Sequence, residues 1–385
     1  MAELQLQAVV IGAGWAAEGH TQALQRNGVH VQAICARQPE VVQAVAQRLG
    51  VPEASTDWRR TLETIQPDIV SLATPASFRR EVIEAAARLG CHIYCDKPLA
   101  PTGPEARQLL DTVDRAGIKH AYAATGRYRP NIISLAELVA DGVIGQVREV
   151  DIVWRLAEPL PAAVPWGWWR CLAAGGGWLN NLFPHVLAQL ELFLGMPVQR
   201  IAGESRTILR RAPVIPGIHD FRQVSAMAAH PPSVDVSQLE WRDCDGDDAA
   251  SMLMEFGPRT GRHVPVLVTY VISGLVHGAG VGEGWRVYGT TGVLTMTDQI
   301  MLQRAIGSDP EPMPVPRRII DALRYTQAED DVLIVQWAAL AREFVADIRA
   351  QPHQPYLTFH DGWRYQEAID VIRSGRGWQD LPSPR

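Results

Sequence analysis

Residues Ala8 to His20 read AVVIGAGWAAEGH. An apolar run of strand character ends at Gly12 and a helical stretch opens after Gly14, so Gly12-Ala13-Gly14-Trp15-Ala16-Ala17 is a G-x-G-x-x-A turn between strand and helix. In such a turn the first glycine permits the bend. The second lets a pyrophosphate approach the backbone, and the small third residue lets helix and strand pack closely. The helix N-terminus adds N–H groups that face the anion. The pattern predicts a dinucleotide site at Gly12, Gly14, Trp15 and Ala16. The competing reading is a glycine turn used only for packing.

The flanking sequence repeats the strand–helix alternation. VHVQAICA, DIVSLATP and CHIYCDKP read as buried strands. AEGHTQALQRNG, Val41 to Leu49, SFRREVIEAAARLG and GPEARQLLDTVDRAG read as helices, three of them stopped by Gly28, Gly90 and Gly117. Alternation of this kind calls for an α/β fold with a Rossmann-type, doubly wound parallel sheet. After HAYAATGRYRP the pattern changes. QVREVDIVWRL, ASMLMEFG, VPVLVTYVIS and WRVYGTTGVLTMTD follow one another as extended segments, which predicts an open, mostly antiparallel sheet in a C-terminal α/β domain. Helices are expected at Val186 to Leu194, Leu333 to Arg349 and Asp361 to Arg373. The proline-rich Ala212 to Val236 and Ile306 to Arg318 read as long loops. The domain boundary falls near Thr125, giving residues 1–124 and 125–385.

At 385 residues the chain is long enough for two domains, and 47% hydrophobic with 20% charged residues is a soluble, globular balance. The net charge of -6 and the absence of a Lys/Arg run exclude a nucleic-acid footprint. No basic leader and no apolar stretch of about 18 residues is present, so no membrane contact and a cytoplasmic location are expected. The five cysteines are scattered. Cys91 and Cys95 lie on one predicted strand, roughly 13 Å apart, and read as reduced thiols rather than metal ligands.

Two positions bear on chemistry. The second strand ends Cys35-Ala36-Arg37 with no acid for the ribose hydroxyls, and Arg37 suits a 2′-phosphate, which favours NADP over NAD; otherwise Arg37 is an exposed arginine at a turn. Asp96, Lys97 and Pro98 follow a parallel strand, where ligands bind in open α/β sheets. A lysine in a partly apolar crevice exchanges protons readily. Pro98 is a candidate for a cis peptide that directs Lys97. The alternative is a surface turn.

The G-x-G-x-x-A turn, DKP at 96–98, GRYRP at 126–130 and GGG at 175–177 followed by His185 together resemble the Gfo/Idh/MocA oxidoreductases, and the likeness runs over nearly the whole chain. The resemblance implies an NAD(P)-dependent dehydrogenase or reductase with a small-molecule substrate, typically a sugar, inositol or derivative. It also implies a homo-oligomer, dimer or tetramer, formed through the C-terminal sheet. Carried over, the family's Glu-Lys-Pro becomes Asp96, Lys97 and Pro98, and the Thr-Pro turn is Thr74-Pro75. Arg79 stands five residues after Thr74, where many members have a histidine. The family's Asp four residues before its His becomes Asn181 before His185.

Asn181 cannot take a proton, so the acid–base work passes to Lys97 or His185 while Asn181 orients the substrate or the imidazole. Asn181 as an N-cap of a helix from Phe183, and His185 as an interior histidine, are the competing readings. Arg127, Trp169, Arg170 and Trp178 are candidate substrate contacts. The PWGWW tryptophans either stack on a substrate or pack a loop. Hydride transfer to or from a carbonyl or carbinol carbon is the expected reaction. A catalytically altered nucleotide-binding sensor, an imine or ring-intermediate reductase, and redox-neutral glycoside cleavage are the alternatives.

Overall fold

A computed structural model describes residues 5–157, 164–218, 223–224, 235–258, 264–276, 282–297, 299–305, 307–324 and 332–383. Its first sheet contains β1 (Gln7–Ile11), β2 (His30–Cys35), β3 (Glu53–Ser55), β4 (Ile69–Leu72), β5 (His92–Asp96) and β6 (His120–Ala123). They lie in the order β3-β2-β1-β4-β5-β6, every neighbouring pair parallel. Every residue of β4 and β6 is buried, as continuous apolar runs covered on both faces require. The helices α1 (Trp15–Arg26), α2 (Pro39–Leu49), α3 (Trp58–Ile65), α4 (Arg79–Arg88) and α5 (Gly103–Ala116) supply that cover. The chain reverses direction across the sheet between β1 and β4, and a crevice opens at their carboxyl ends.

The second sheet has the order β16-β15-β14-β13-β7-β12-β11-β8-β17. Its strands are β7 (Val147–Ala157), β8 (Val198–Arg206), β11 (Ala249–Phe256), β12 (Val266–Val276), β13 (Gly282–Gly289), β14 (Val293–Met296), β15 (Ile300–Gln303), β16 (Glu311–Met313) and β17 (Gln379–Asp380). All described pairs are antiparallel except β7 with β12, which run parallel. Two short strands, β9 (Arg211–Pro213) and β10 (Trp241–Asp243), pair separately. Alternation sorts β11 by face: Ala250, Met252, Met254 and Phe256 are buried, while Ser251 and Leu253 are exposed. The long helix α7 (Trp178–Leu194) covers the inner face, with Phe183 stacked on Tyr270 at 5.9 Å and Phe193 edge-on to Trp285 at 6.0 Å.

Several expectations change. The sequence places a helix start near Val186, after Pro184, but α7 begins at Trp178 and runs through Pro184. Pro184 removes one helical N–H, and a contact from far along the chain holds the first turn instead: the Asp247 carboxylate accepts the Leu179 N–H at 2.7 Å. Asn181 is therefore an interior helical residue and not the N-cap, a place taken by Gly177. Helix α6 (Pro130–Ala140) was not expected; Pro130 opens it at the first helical position. The expected loops contain β9, β16 and the start of helix α8 (Arg317–Ala322). Residues 219–222, 225–234 and 306 of those loops lie outside the described residues.

The boundary near Thr125 divides the sequence more sharply than the space. Helix α9 (Val332–Ile348) returns to lie on α1, where Trp337 meets Trp15 edge-on at 5.3 Å. A Cβ on Gly19 would sit 2.0 Å from the Trp337 ring, so the glycine permits this approach. Tyr94 Oη donates to the Trp337 carbonyl at 3.0 Å. Helix α10 (Phe359–Ser374), opened by a capping box of Thr358 and Asp361, packs on α5 and α7 and ties the two sheets together. Among the described residues no helix is long and apolar enough to cross a membrane.

Candidate active site

The turn after β1 has the shape its sequence implies. Gly12 lies at φ +125°, and a Cβ there would come 2.6 Å from the Ala73 carbonyl oxygen; the chain needs glycine at this point. Ala17, fully buried, fills the third position. Gly14 is different in kind: a Cβ there would meet nothing within 4 Å, so its backbone faces open space at the N-terminus of α1. Across the crevice Thr74 Oγ1 is buried with no hydrogen-bond partner among the described residues. An open backbone surface, a helix N-terminus and an orphaned hydroxyl fit a dinucleotide. Ala36 and Arg37 stand at the end of β2, and the Arg37 guanidinium lies 5.3 Å from the ring centre of Phe78, which is 53% exposed.

The strand-end lysine is where the second half of the site converges. The Lys97–Pro98 peptide is cis, as the sequence suggested. Lys97 Nζ donates to Asn181 Oδ1 at 2.5 Å, joining the end of β5 to the first turns of α7. Burial disfavours the ammonium and pushes the Lys97 pKa below that of a free lysine; Asp96 opposes the shift and Arg79 adds to it. One turn along α7, His185 Nδ1 accepts the Gly126 N–H at 3.1 Å, which puts the proton of the neutral ring on Nε2. Burial, with the charges of Lys97 and Arg129, holds its pKa down to about 3. His185 is thus a neutral hydrogen-bond donor at ordinary pH.

Three glycines bring α7 to this position. A Cβ on Gly175 would be 2.7 Å from Ala76 Cβ, one on Gly176 2.6 Å from the Trp169 backbone, and one on Gly177 2.6 Å from Asp247 Oδ1. The run therefore lets three elements meet above the crevice. Asp247 also accepts from both Nε and a terminal nitrogen of Arg373, at 2.9 and 2.6 Å, a pair of buried acid and half-buried base at the root of α7. Neither residue was singled out from the sequence. The only sequence cue was the acid-rich DCDGDD before a strand.

The expected substrate contacts divide. Trp169, Arg170 and Trp178 line one cleft together with Asn181, Gly177 and Gly246. Trp178 is 9% exposed and lies so close over Gly274 that a Cβ there would strike its ring, so it belongs to the wall. Arg170, expected as a polar substrate contact, is 4% exposed, and its guanidinium is bonded to Asp248 and the Pro165 carbonyl at 3.3 Å each. Trp166 packs on the β9–β10 pair, donating to the Asp243 carbonyl at 3.1 Å. Arg127, on the turn that holds His185, lies 6.0 Å from the Tyr128 ring. The five cysteines are free thiols.

Comparison with known proteins places this geometry. Residues 6–123 match the model of an oxidoreductase family with an NAD-binding Rossmann fold, Gfo/Idh/MocA, and residues 132–295 match the model of the Gfo/Idh/MocA C-terminal domain. Levoglucosan dehydrogenase of Pseudarthrobacter phenanthrenivorans is 29% identical over 158 residues, 41% of this chain and 40% of that protein. D-glucoside 3-dehydrogenase of Escherichia coli is 30% identical over 200 residues, 51% of this chain and 56% of that protein. The chain thus aligns with about half the length of these relatives. A solved levoglucosan dehydrogenase, in complex with NADH and levoglucosan, shares the fold with a TM-score of 0.78 at 20% identity, covering 98% of this chain and 100% of that one.

Proposed function

This chain belongs to the Gfo/Idh/MocA oxidoreductases, and we propose that it is an NADP-dependent dehydrogenase or reductase acting on a carbinol or carbonyl carbon of a sugar or related polyol. The observation that carries this reading is the bond from Lys97 to Asn181, with His185 one turn away, at the edge of a sheet whose first turn suits a pyrophosphate. When bound, the nicotinamide supplies or takes up the hydride. Gly12, Gly14, Trp15 and Ala16 would hold the pyrophosphate, and Ala36 and Arg37 the ribose. Thr74, Pro75, Asp96, Lys97 and Pro98 would line the nicotinamide side.

The chain's own groups manage the proton. Neutral Lys97 accepts it from a substrate hydroxyl in oxidation, and the ammonium returns it in reduction. His185 Nε2–H donates to the same oxygen. Asn181 keeps the amine in place and, having no charge, leaves the neutral form accessible. Trp169 offers a ring face to the C–H side of a sugar, and Arg127 a further polar contact. The sugar class is supported by relatives that are sugar dehydrogenases. NADP is supported by Arg37 and the lack of an acid at the end of β2. The outer face of the second sheet, with Leu253 exposed among Ser251 and Glu255, is the surface for a homodimer or tetramer. Free thiols fit a cytoplasmic setting.

A second reading, a nucleotide-binding protein without turnover, is favoured by Asn181 standing where the family's pattern has an acid. Titration with NADPH and NADH, followed by nicotinamide fluorescence and a screen of sugars for hydride transfer, separates them. Tighter NADPH binding with turnover supports the enzyme. Nucleotide binding without turnover on any sugar or polyol supports the second reading. If neither nucleotide binds and none is carried through purification, both fail.

A further inference from the structure

Arg79 is the first side chain of α4 and one of the largest fully buried side chains, 2% exposed. Its guanidinium makes five hydrogen bonds to four backbone carbonyls. Nε and one terminal nitrogen reach Thr74 O, at 3.0 and 2.6 Å; the same terminal nitrogen reaches Lys97 O at 3.4 Å; the other reaches the carbonyls of Asp96 and Pro98. A guanidinium has five N–H groups, so the fork is saturated. Among the described residues no side-chain carboxylate is bonded to it. A buried cation without a bonded counter-ion among the described residues is costly to keep, and what it bonds is informative: the backbone after two neighbouring strands. Thr74 is the turn after β4, and Asp96 to Pro98 is the segment after β5.

We propose that Arg79 is a positioning residue that ties the Thr74 turn to the Asp96–Pro98 segment, so that these two neighbouring strand ends are held as one unit and the Lys97 amine meets Asn181. Its importance for turnover rests on Lys97 being the proton-transfer group; the tie itself does not. Lysine could serve no more than three of the five bonds, and histidine no more than two. The charged and titratable groups around Lys97 are Asp96 on its own segment, Arg79 from α4 and His185 from α7, with His20 of α1 behind Asp96 at 4.0 Å. Among these, Arg79 is the fixed cation, and it favours the neutral amine.

Lys97 and Lys119 are the two lysines of the chain, so amine chemistry reads Lys97 without interference. Competitive acetylation with acetic anhydride over a range of pH, with peptide mass spectrometry, yields for each lysine a midpoint and a limiting reactivity. Lys119, bonded to Asp347, is the internal reference. In Arg79→Met the Lys97 midpoint moves up and its limiting reactivity rises severalfold, as the amine loses both the neighbouring cation and its hold on Asn181; Lys119 is unchanged. In Arg79→Lys, which retains most of the fold if Arg79→Met does not fold and whose added amine is followed on its own peptide, the limiting reactivity of Lys97 still rises, because three donors cannot make five bonds. A Lys97 profile in folded Arg79→Lys that superposes on the natural protein overturns the proposal, because Arg79 would then only stabilise the fold. The readout needs no substrate. Absence of hydride transfer in the natural protein would defeat the enzyme reading while leaving this result standing.

Discussion

The Gly12–Ala17 turn and the Lys97–Asn181–His185 cluster share one edge of the first sheet, yet they are built in opposite ways. The turn is made by six consecutive residues, with backbone conformation and helix N-terminus supplying its chemistry. The cluster joins side chains 84 residues apart and depends on α7 being pulled into place by Asp247, Arg373 and three glycines. A site made of backbone tolerates much of the molecule changing around it. A site made of side chains from a strand end and a distant helix does not. The nucleotide half should therefore survive perturbations that silence the reacting half.

The largest effect is expected from Lys97→Ala. Hydride transfer should fall by about 10²- to 10⁴-fold, while NADPH affinity in a fluorescence titration stays within a factor of a few. Equal loss of both would mean that the two halves are one. Asp247→Ala comes next: it takes the carboxylate from Arg373, which keeps only the Gly176 carbonyl, and the acceptor from the Leu179 N–H, at a cost of about 3 kcal/mol in unfolding free energy. A urea melt measures this, and an unchanged midpoint would show that α7 is anchored by other means.

The smallest effect concerns pH. His20 and His185 are buried neutral, with pKa values lowered to about 4 and about 3. Unfolded histidines bind protons near pH 6.5, so between that value and the folded ones the unfolded chain holds more protons, and stability falls as pH falls. Each histidine contributes a slope of up to about 1.4 kcal/mol per pH unit. The raised carboxyls of Glu191, Asp248 and Asp370 act with the opposite sign, so the difference between proteins is the clean measure. His20→Gln should lose less stability than the natural chain between pH 7 and pH 5. Identical losses would show that the buried ring at His20, bonded to Ser71 at 3.0 Å, is not a proton-linked element.

This contrast also explains what was legible. The parallel sheet, the turn and the strand-end lysine are written in short stretches whose periodicity and glycines act on their own neighbours. The second sheet was visible as extended segments, but the one parallel pair among its described strands, β7 with β12, was not, since pairing partners leave no local mark. The start of α7 was misplaced because Pro184 is a local signal for a boundary, whereas the Asp247 contact that overrides it comes from 68 residues away. The bond that holds Arg170 in the cleft wall was not legible either, because its partner, Asp248, lies 78 residues on. Arg79 was seen only as a departure from a pattern; its five bonds required the backbone of two strand ends to be in place.

The most direct test of Lys97 as the group that moves the proton is the pH profile of kcat/KM for oxidation, measured for the natural protein and for Asn181→Asp. A carboxylate where Asn181 Oδ1 now meets Lys97 Nζ stabilises the ammonium, so the limb on which rate rises with pH should move to higher pH. A limb that stays where it is would contradict the account and assign the proton to another group.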